Sequence, residues 1–554
     1  MATTELRELR ARVASGAHGR EPLALLRRRP WAWPAGFVIG GVVLFAAYLK
    51  LTQSNPVNSD WASNALQAWD MLHGNPLLRG WTVTDVSFYT TELPEYMLVE
   101  LVRGLNTSAA HIAAALTYTL VVIGAALLAK GRAGGREGVA RALMAAGIML
   151  APTIGPLAST PTLLADPDHT GTQVPLLAIW LILDRARPRW WVPVLVAVLL
   201  AQTQVADPLV AYEGVLPILV VCAIRVYRQR GARPREAWRA CWFEMSLAAG
   251  AAMSVAVADI VMRLIREAGG FAAWPTDTTF SVVSSVGAQA WVTVECVLNM
   301  FGADFSGMQL GPAAAVRLVH LAGLALALWA VARALRHFAS GELVVQVLVM
   351  AAVALLVAIS ISGAPSVANG THEIVGLLPI GAVLAGRLLT GQLIRDRHLA
   401  VLGVLLACNA GLLGHDIVQS PPANANSVLA VWLGDHHLDY GLATYWSASS
   451  VTLDSGGLVQ VRPVNRPLQA DSRIDAVQWE SKPSWYDPGL YDARFLIVPS
   501  TVAGCSFGTH DQWLATVHRL FGAPAASYRV ANVLVLVWHK NLLPLISKPV
   551  GSAC

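Results

Sequence analysis

Runs of about twenty apolar residues recur along the chain, separated by short polar stretches. A helix of that length crosses the hydrocarbon of a bilayer, so each run predicts a transmembrane helix. The pattern places eleven spans, near 34–52, 109–129, 138–158, 172–185, 190–206, 208–227, 241–263, 313–335, 342–362, 373–393 and 398–417. The run at 172–185 is short and fits a tilted or partly re-entrant segment. After residue 417 the pattern changes. A helix from Asn426 to His437, strand-like runs at 457–463, 494–499 and 529–538, and a helix near 510–522 predict a small α/β domain.

Charge orients this chain. The stretch before the first run holds Arg7, Arg10, Arg12, Arg20, Arg27, Arg28 and Arg29, with no small-residue cleavage site behind it. It reads as a cytoplasmic tail before a retained helix. The even-numbered connections then carry the cations: Lys130, Arg132, Arg136 and Arg141; Arg185, Arg187 and Arg189; Arg225, Arg228, Arg230, Arg233, Arg235 and Arg239; Arg333 and Arg336; Arg395 and Arg397. The opposite loops at 158–171, 203–208 and 363–372 contain no Lys or Arg. Cytoplasmic loops concentrate these residues, so the N-terminus is expected inside the cell and the C-terminal domain outside. The expected organisation is a tail at 1–33, a membrane domain at 34–417 with large external loops at 53–108 and 264–312, and an extracytoplasmic α/β domain at 418–554.

Composition agrees with a lipid solvent. Hydrophobic residues make up 55% of the 554 and charged residues 14%, against about 25% charged in soluble domains. Mean hydropathy is +0.51. The net charge of +5 is spread by topology, so no basic stripe for nucleic acid remains. There is no G-x-x-x-x-G-K-[ST] loop, G-x-S-x-G elbow or C-x-x-C pair. No inverted internal repeat of the transporter kind is visible. Among six cysteines, Cys505 and Cys554 fall in the external domain, where an oxidising compartment permits a disulfide.

Chemistry gathers on the outer side. In N58-S-D-W-A-S-N-A-L-Q-A-W-D-M-L-H-G74, Asn58 or Ser59 fits an N-cap and Gly74 a stop. Trp61, Ala65, Ala68, Trp69 and Leu72 share one stripe; Asp60, Asn64 and Gln67 share the other. An amphipathic helix along the membrane surface is expected, with Asp60 near its positive end. In T90-T-E-L-P-E-Y-M-L-V-E-L-V-R103, Pro94 suits a first helical turn, and Leu98, Leu101 and Val102 form an apolar stripe.

These two segments and the topology resemble the GT-C superfamily of polytopic glycosyltransferases, in particular members that use polyprenyl-phosphate sugars. Those include protein O-mannosyltransferases and lipid A aminoarabinose transferases. The resemblance rests on S-D-W-A-S-N-A-L-Q-A-W-D-M-L-H-G-N-P and F-Y-T-T-E-L-P-E-Y, with Glu92-Leu93-Pro94 where many relatives have Lys-Pro-Pro. It implies two juxtamembrane helices in the first external loop and Asp60 as catalytic base. It also implies transfer of a sugar from a polyprenyl phosphate to a cell-envelope glycan, lipid or protein on the extracytoplasmic face.

The residues themselves add candidates for substrate binding. Asn64 lies beside Asp60, and Glu92 and Glu95 open the second element. In A165-D-P-D-H-T-G171, Asp166, Asp168 and His169 either hydrogen-bond sugar hydroxyls, ligate a divalent cation such as Mg²⁺ or Mn²⁺ through the two acids, or form a polar turn. Asp207 and Glu213 lie near the outer end of their spans, where an acid usually faces a cavity. Arg263 and Arg266 either snorkel to headgroups or grip the donor phosphate. His372 and Glu373 open the tenth span. The aromatic stretches Y440-G-L-A-T-Y-W446 and W479-E-S-K-P-S-W-Y486 fit the domain core or stack on sugar. The rival reading is a membrane protein without catalysis, a lipid-carrier transporter or an assembly scaffold whose external domain binds a partner.

Overall fold

The computed structural model describes residues 32–153, 160–165, 169–229, 234–275, 279–363, 366–395, 399–465, 473–499 and 510–547. The tail arginines, Arg230, Arg233, Arg397, Asp166, Asp168, Cys505 and Cys554 lie outside them.

The chain begins with α1 (Ala32–Thr52), then α2 (Ser59–Leu72), a two-residue strand β1 (Thr82–Val83) and α3 (Glu92–Arg103). A run of helices follows: α4 (Thr107–Lys130), α5 (Gly135–Met149), α6 (Gln173–Arg185), α7 (Trp191–Ala206), α8 (Leu216–Arg228) and α9 (Pro234–Glu267). After β2 (Ala272–Ala273) come α10 (Val286–Met300), α11 (Pro312–Arg336), α12 (Leu343–Ile361), α13 (Val367–Glu373), α14 (Leu377–Arg395) and α15 (Leu399–Ile417). Every predicted span contains a helix. Six are long and apolar enough to cross a bilayer: α1, α4, the part of α9 from Ala240, α11, α12 and α15. The stretch Leu377–Gln392 and α7 are apolar but shorter. The run at 208–227 is interrupted, because a π-helical turn at Ala211–Val215 precedes α8. A second π turn, Pro161–Ala165, leads toward α6. Such turns widen the helix and often mark functional sites.

The helices pack through Val, Leu and Ala, with glycine where backbones meet closely. A Cβ at Gly386 of α14 would lie 2.6 Å from the Arg141 carbonyl of α5 and 2.9 Å from Ala129 of α4. Among the described residues, several cations gather at one end of the bundle. Arg387 Nη2 donates to Asp184 Oδ1 at 2.6 Å and Glu342 Oε2 at 2.7 Å, while its Nη1 donates to the Leu128 carbonyl at 2.9 Å. Arg225 pairs with Glu244 at 3.2 Å and bonds Gln346 at 2.9 Å. Arg228 donates to the Ala339 carbonyl. The cation-free connections meet at the other end, where Ser87 N donates to Ala206 O at 2.7 Å and Gly363 N to Thr279 O at 2.9 Å.

At that second end sits a five-stranded sheet. Its elements are α16 (Ala425–Asp435), β3 (Tyr440–Thr444), α17 (Tyr445–Asp454), β4 (Gln460–Val464), β5 (Phe495–Pro499), α18 (His510–Phe521), β6 (Ala526–Val530) and β7 (Val533–Val537). The order is β4-β3-β5-β7-β6, parallel in the first three strands and antiparallel from β5 to β6. Two corrections to the sequence reading arise here. The run at 529–538 is a hairpin turning at residues 531–532, not one strand. The aromatic stretch at 440–446 supplies a strand and a helix start. It is buried on both faces and therefore lacks the alternation that marks a half-exposed strand.

Period-two alternation gives the sheet two different cores. Ala443, Phe495, Ile497 and Val535 pack with α16 and α17. Leu442, Leu496, Val498 and Leu536 face the other way, into one cluster with Val57, Trp61, Ala65, Leu93 and Tyr96 of the first external loop. The sheet is thus continuous in packing with the juxtamembrane helices.

Candidate active site

The site grows from the cap of α2. Asn58 is extended, and its side-chain oxygen accepts from Trp61 N at 2.8 Å, the N-cap role expected of it. Trp61 is fully buried, edge-on to His111 of α4 at 5.0 Å. That anchoring leaves Asp60 in the first turn, partly exposed, where the helix dipole favours an anion. One expectation fails. Asn64 and Gln67 are buried, so α2 is no surface helix with a wet polar face. The helix is also docked against α17: Ser59 Oγ donates to the Tyr445 carbonyl at 2.5 Å, and Ser63 Oγ to Ser449 Oγ at 3.2 Å.

Through the same contact the Tyr445 phenol reaches Asp60 Oδ1 and, on its other side, Glu480 Oε2. Tyr445 and Glu480 are both buried. Burial above all pushes the phenol well above its ordinary range, so it stays protonated and donates. The docking is reinforced nearby. Lys482 Nζ lies 2.6 Å from Asp70 Oδ2, which also accepts from Trp81 Nε1 at 2.8 Å. Thr82 N donates to Ser481 O at 2.9 Å, and Trp81 meets Trp485 edge-on at 5.1 Å. The loop at 264–312 joins the assembly where β2 pairs in parallel with β1.

The second element, α3, is amphipathic in an unusual sense. Leu98, Leu101 and Val102 are exposed, as befits a helix lying in the lipid interface, whereas Glu92, Tyr96 and Glu100 are buried. Burial lifts Glu92 far above the usual carboxylate range against the opposing Thr91 hydroxyl, and the Asp207 and Glu95 charges add to the rise. Burial pushes Glu95 to about 7, opposed by the Thr117 hydroxyl, which donates at 2.8 Å. Glu100 is pushed to about 9 by burial alone. The sign follows from proton linkage: the unfolded chain releases this proton near the ordinary value of 4.5, the folded chain at about 9. Its contribution to stability is complete below the lower value and is lost as pH rises through the upper one. Glu100→Gln should therefore be more stable than wild type by more than about 1 kcal/mol at a pH of about 8, and no more stable at about pH 4. Thermal unfolding of the detergent-solubilised pair checks this; equal midpoints at both pH values would contradict it.

Behind α3 lies a buried polar cluster. His169 Nδ1 is 2.8 Å from Asp207 Oδ2, the same oxygen accepts from Thr172 Oγ1 at 2.8 Å, and Asp207 Oδ1 accepts from Leu209 N at 2.8 Å. Burial alone would raise Asp207, but the His169 charge and these hydrogen bonds overcome it and hold the carboxyl below its ordinary range. His169 Nε2 faces Glu373 Oε2 at 3.7 Å. Glu213, in the π turn, accepts from Gln173 Nε2 at 2.9 Å. Two glycines make room for the acids. A Cβ at Gly171 would stand 2.0 Å from Glu92 Oε1, and one at Gly376 would stand 1.8 Å from Glu213 Oε1. Glu92, from the distant helix α3, and Glu213, in the π turn that follows Asp207, thereby stand near the His169–Asp207 pair.

Other sequence candidates are not gathered in. Arg263 pairs with Asp259 one turn away at 2.6 Å and is exposed, and Arg266 bonds its own helix at the Met262 carbonyl. His372 sits beside Glu373 on α13. Arg317 of α11 was counted inside a span, yet it is half-buried and donates to the Gly302 carbonyl at 3.1 Å. Among the described residues no group of three or more His, Cys, Asp and Glu side chains can hold a metal ion, and Asp166 and Asp168 lie outside them. The sequence reading missed Tyr445, Glu480 and Lys482 as site residues. They stood in the two aromatic stretches, but Tyr445 and Asp60 are 385 positions apart and nothing local signals their meeting.

No family model matches the chain, and no curated protein sequence matches it. Solved structures do. The crystal structure of ArnT from Cupriavidus metallidurans bound to undecaprenyl phosphate superposes with a TM-score of 0.53 at 14% identity, covering 94% of this chain and 100% of that one. The same protein in the apo state gives 0.52 at 14% identity, covering 93% and 99%. ArnT is a lipid A aminoarabinose transferase of the GT-C class. The resemblance seen in the first external loop therefore extends to the fold of nearly the whole chain.

Proposed function

We propose that this chain is a GT-C-type membrane glycosyltransferase. It moves a sugar from a polyprenyl-phosphate donor to a cell-envelope acceptor on the extracytoplasmic face, with Asp60 as general base. The observation that carries the reading is the placement of Asp60. It is an acid in the first turn of a capped juxtamembrane helix, oriented by a buried phenol, in a fold like that of a protein solved with undecaprenyl phosphate.

The chemistry balances simply. The acceptor O–H bond breaks as its oxygen attacks the anomeric carbon, and the proton passes to the Asp60 carboxylate. The bond from that carbon to the phosphate oxygen breaks, and its electron pair leaves with the lipid phosphate. Glu92 fits beside such a leaving group because its buried carboxyl is held in the neutral form, which donates a hydrogen bond without repelling an anion. Asn64, Glu95 and His169 complete the substrate-binding set in this reading. The exposed apolar face of α3 keeps the site at lipid depth, within reach of a prenyl tail. No metal is assigned a role.

The test is release of polyprenyl phosphate by the purified protein, offered a panel of lipid-phosphate sugars together with envelope acceptors. Donor-dependent release is expected. Folded protein that releases nothing from a broad panel would overturn the reading in favour of a transporter or scaffold.

A further inference from the structure

The Tyr445 phenol lies within hydrogen-bond reach of two carboxylates, one on each side. A phenol has one proton to give, so it can donate to only one of them. The second contact is a hydrogen bond only if that carboxyl carries a proton and donates it to the phenolic oxygen. Two ionised carboxylates flanking one buried hydroxyl also repel each other, as in any close acid pair. The environments differ in a way that decides which acid is neutral. Asp60 is partly exposed in the first turn of α2, where the helix dipole favours the anion. Glu480 is 1% exposed and sits on a strained left-handed backbone at φ 47°, fixed in place on the sheet domain.

We propose that Tyr445 and Glu480 are positioning residues for Asp60: Glu480, as a neutral acid, donates to the Tyr445 oxygen, and Tyr445 donates to the ionised Asp60. The inference rests on Asp60 being the base. Its consequence is that the base belongs to two parts of the chain. The carboxylate is carried by the membrane domain, but its orientation and its charge state are set by the C-terminal sheet domain. That domain is held in register by Ser59 on the Tyr445 carbonyl, Ser63 on Ser449, and Asp70 on Lys482. The sheet domain is then a component of the active site, not an appended carbohydrate-binding module.

Tyr445→Phe, Glu480→Ala and Glu480→Gln in the full-length protein test this through two independent readouts. In turnover, Tyr445→Phe should lower kcat by about tenfold or more, with KM changed little. It should also move the acid limb of the kcat profile up by about one pH unit, since the Asp60 anion loses a hydrogen bond that favours it. Glu480→Ala should fall similarly, and Glu480→Gln should recover most of that loss, because an amide can donate to the phenol as the neutral acid does. A role in folding alone would lower the unfolding midpoint and the active fraction without moving the limb. Without turnover, the infrared difference spectrum of wild type minus Glu480→Gln should show the carbonyl band of a protonated carboxyl, shifted in the Tyr445→Phe background. Absence of that band, or an unmoved acid limb in Tyr445→Phe, overturns the proposal. Presence of the band in a protein that releases no polyprenyl phosphate leaves the hydrogen-bond arrangement standing and overturns the assigned function instead.

Discussion

Asp60→Asn should reduce polyprenyl-phosphate release by about 10²- to 10⁴-fold, the range that general-base catalysis usually contributes. The substitution is close to isosteric. The amide oxygen can still accept from Tyr445, and the Asn58 cap and the buried Trp61 are untouched, so α2 keeps its place. What disappears is basicity: an amide does not take the proton of an attacking hydroxyl. The loss should therefore appear in kcat, with donor KM within a few fold, because an interaction made only in the transition state is removed. Full activity in an Asp60→Asn protein of normal thermal midpoint would end the assignment of Asp60. Loss of activity accompanied by unfolding would instead place Asp60 among the residues that dock the sheet domain, and kcat per folded molecule separates these outcomes.

The largest effect on stability is expected at the opposite end of the bundle. Arg387 and Asp184 are almost fully buried, at 6% and 4% side-chain exposure, and the same guanidinium reaches Glu342 and the Leu128 carbonyl. Four segments, α4, α6, the start of α12 and α14, are tied by this one cation. Its room is made by Gly131, at φ 52°, where a Cβ would come within 3.2 Å of Nη2. Arg387→Met leaves the Asp184 carboxylate buried without its counter-charge, which costs about 3–5 kcal/mol in comparable cases. The unfolding midpoint in denaturant should fall accordingly. The double variant Arg387→Met with Asp184→Leu should regain most of the loss, since removing both charges removes the unpaired one. A single variant costing less than about 1 kcal/mol would mean that water reaches the pair and pays for its separation.

Much of the fold was legible because lipid simplifies the code. In hydrocarbon a backbone must satisfy its own hydrogen bonds, so an apolar run of sufficient length can only be a helix. All eleven runs contain one, and among the described residues six helices are long and apolar enough by themselves to span. The π turn at Ala211–Val215 escaped because π and α turns share the same hydrophobic periodicity over five residues. The sheet domain was less legible. Its central strand β3 is buried on both faces, and the hairpin of β6 and β7 reads as a single apolar run until the turn at 531–532 is seen.

The candidate site divides along the same line. Local rules narrowed the cap of α2 to Asn58 or Ser59, of which the structure uses Asn58, and marked Asp60 as an acid at its positive end, because capping and dipole effects act within one turn. The likeness of the first external loop to GT-C enzymes was carried by residues 58–96, and the fold bears it out. By itself, then, the sequence determined the helical membrane architecture and the position of the acid in the first turn of α2. Only the tertiary structure decided what surrounds that acid. It buried Asn64 and Gln67, brought Glu92, His169, Asp207 and Glu213 together, left Arg263 and Arg266 outside, and set Tyr445 between Asp60 and Glu480. Periodicity and capping are properties of neighbours along the chain, whereas the electrostatics of a buried acid depend on whatever the fold places within a few ångströms, at any separation in sequence.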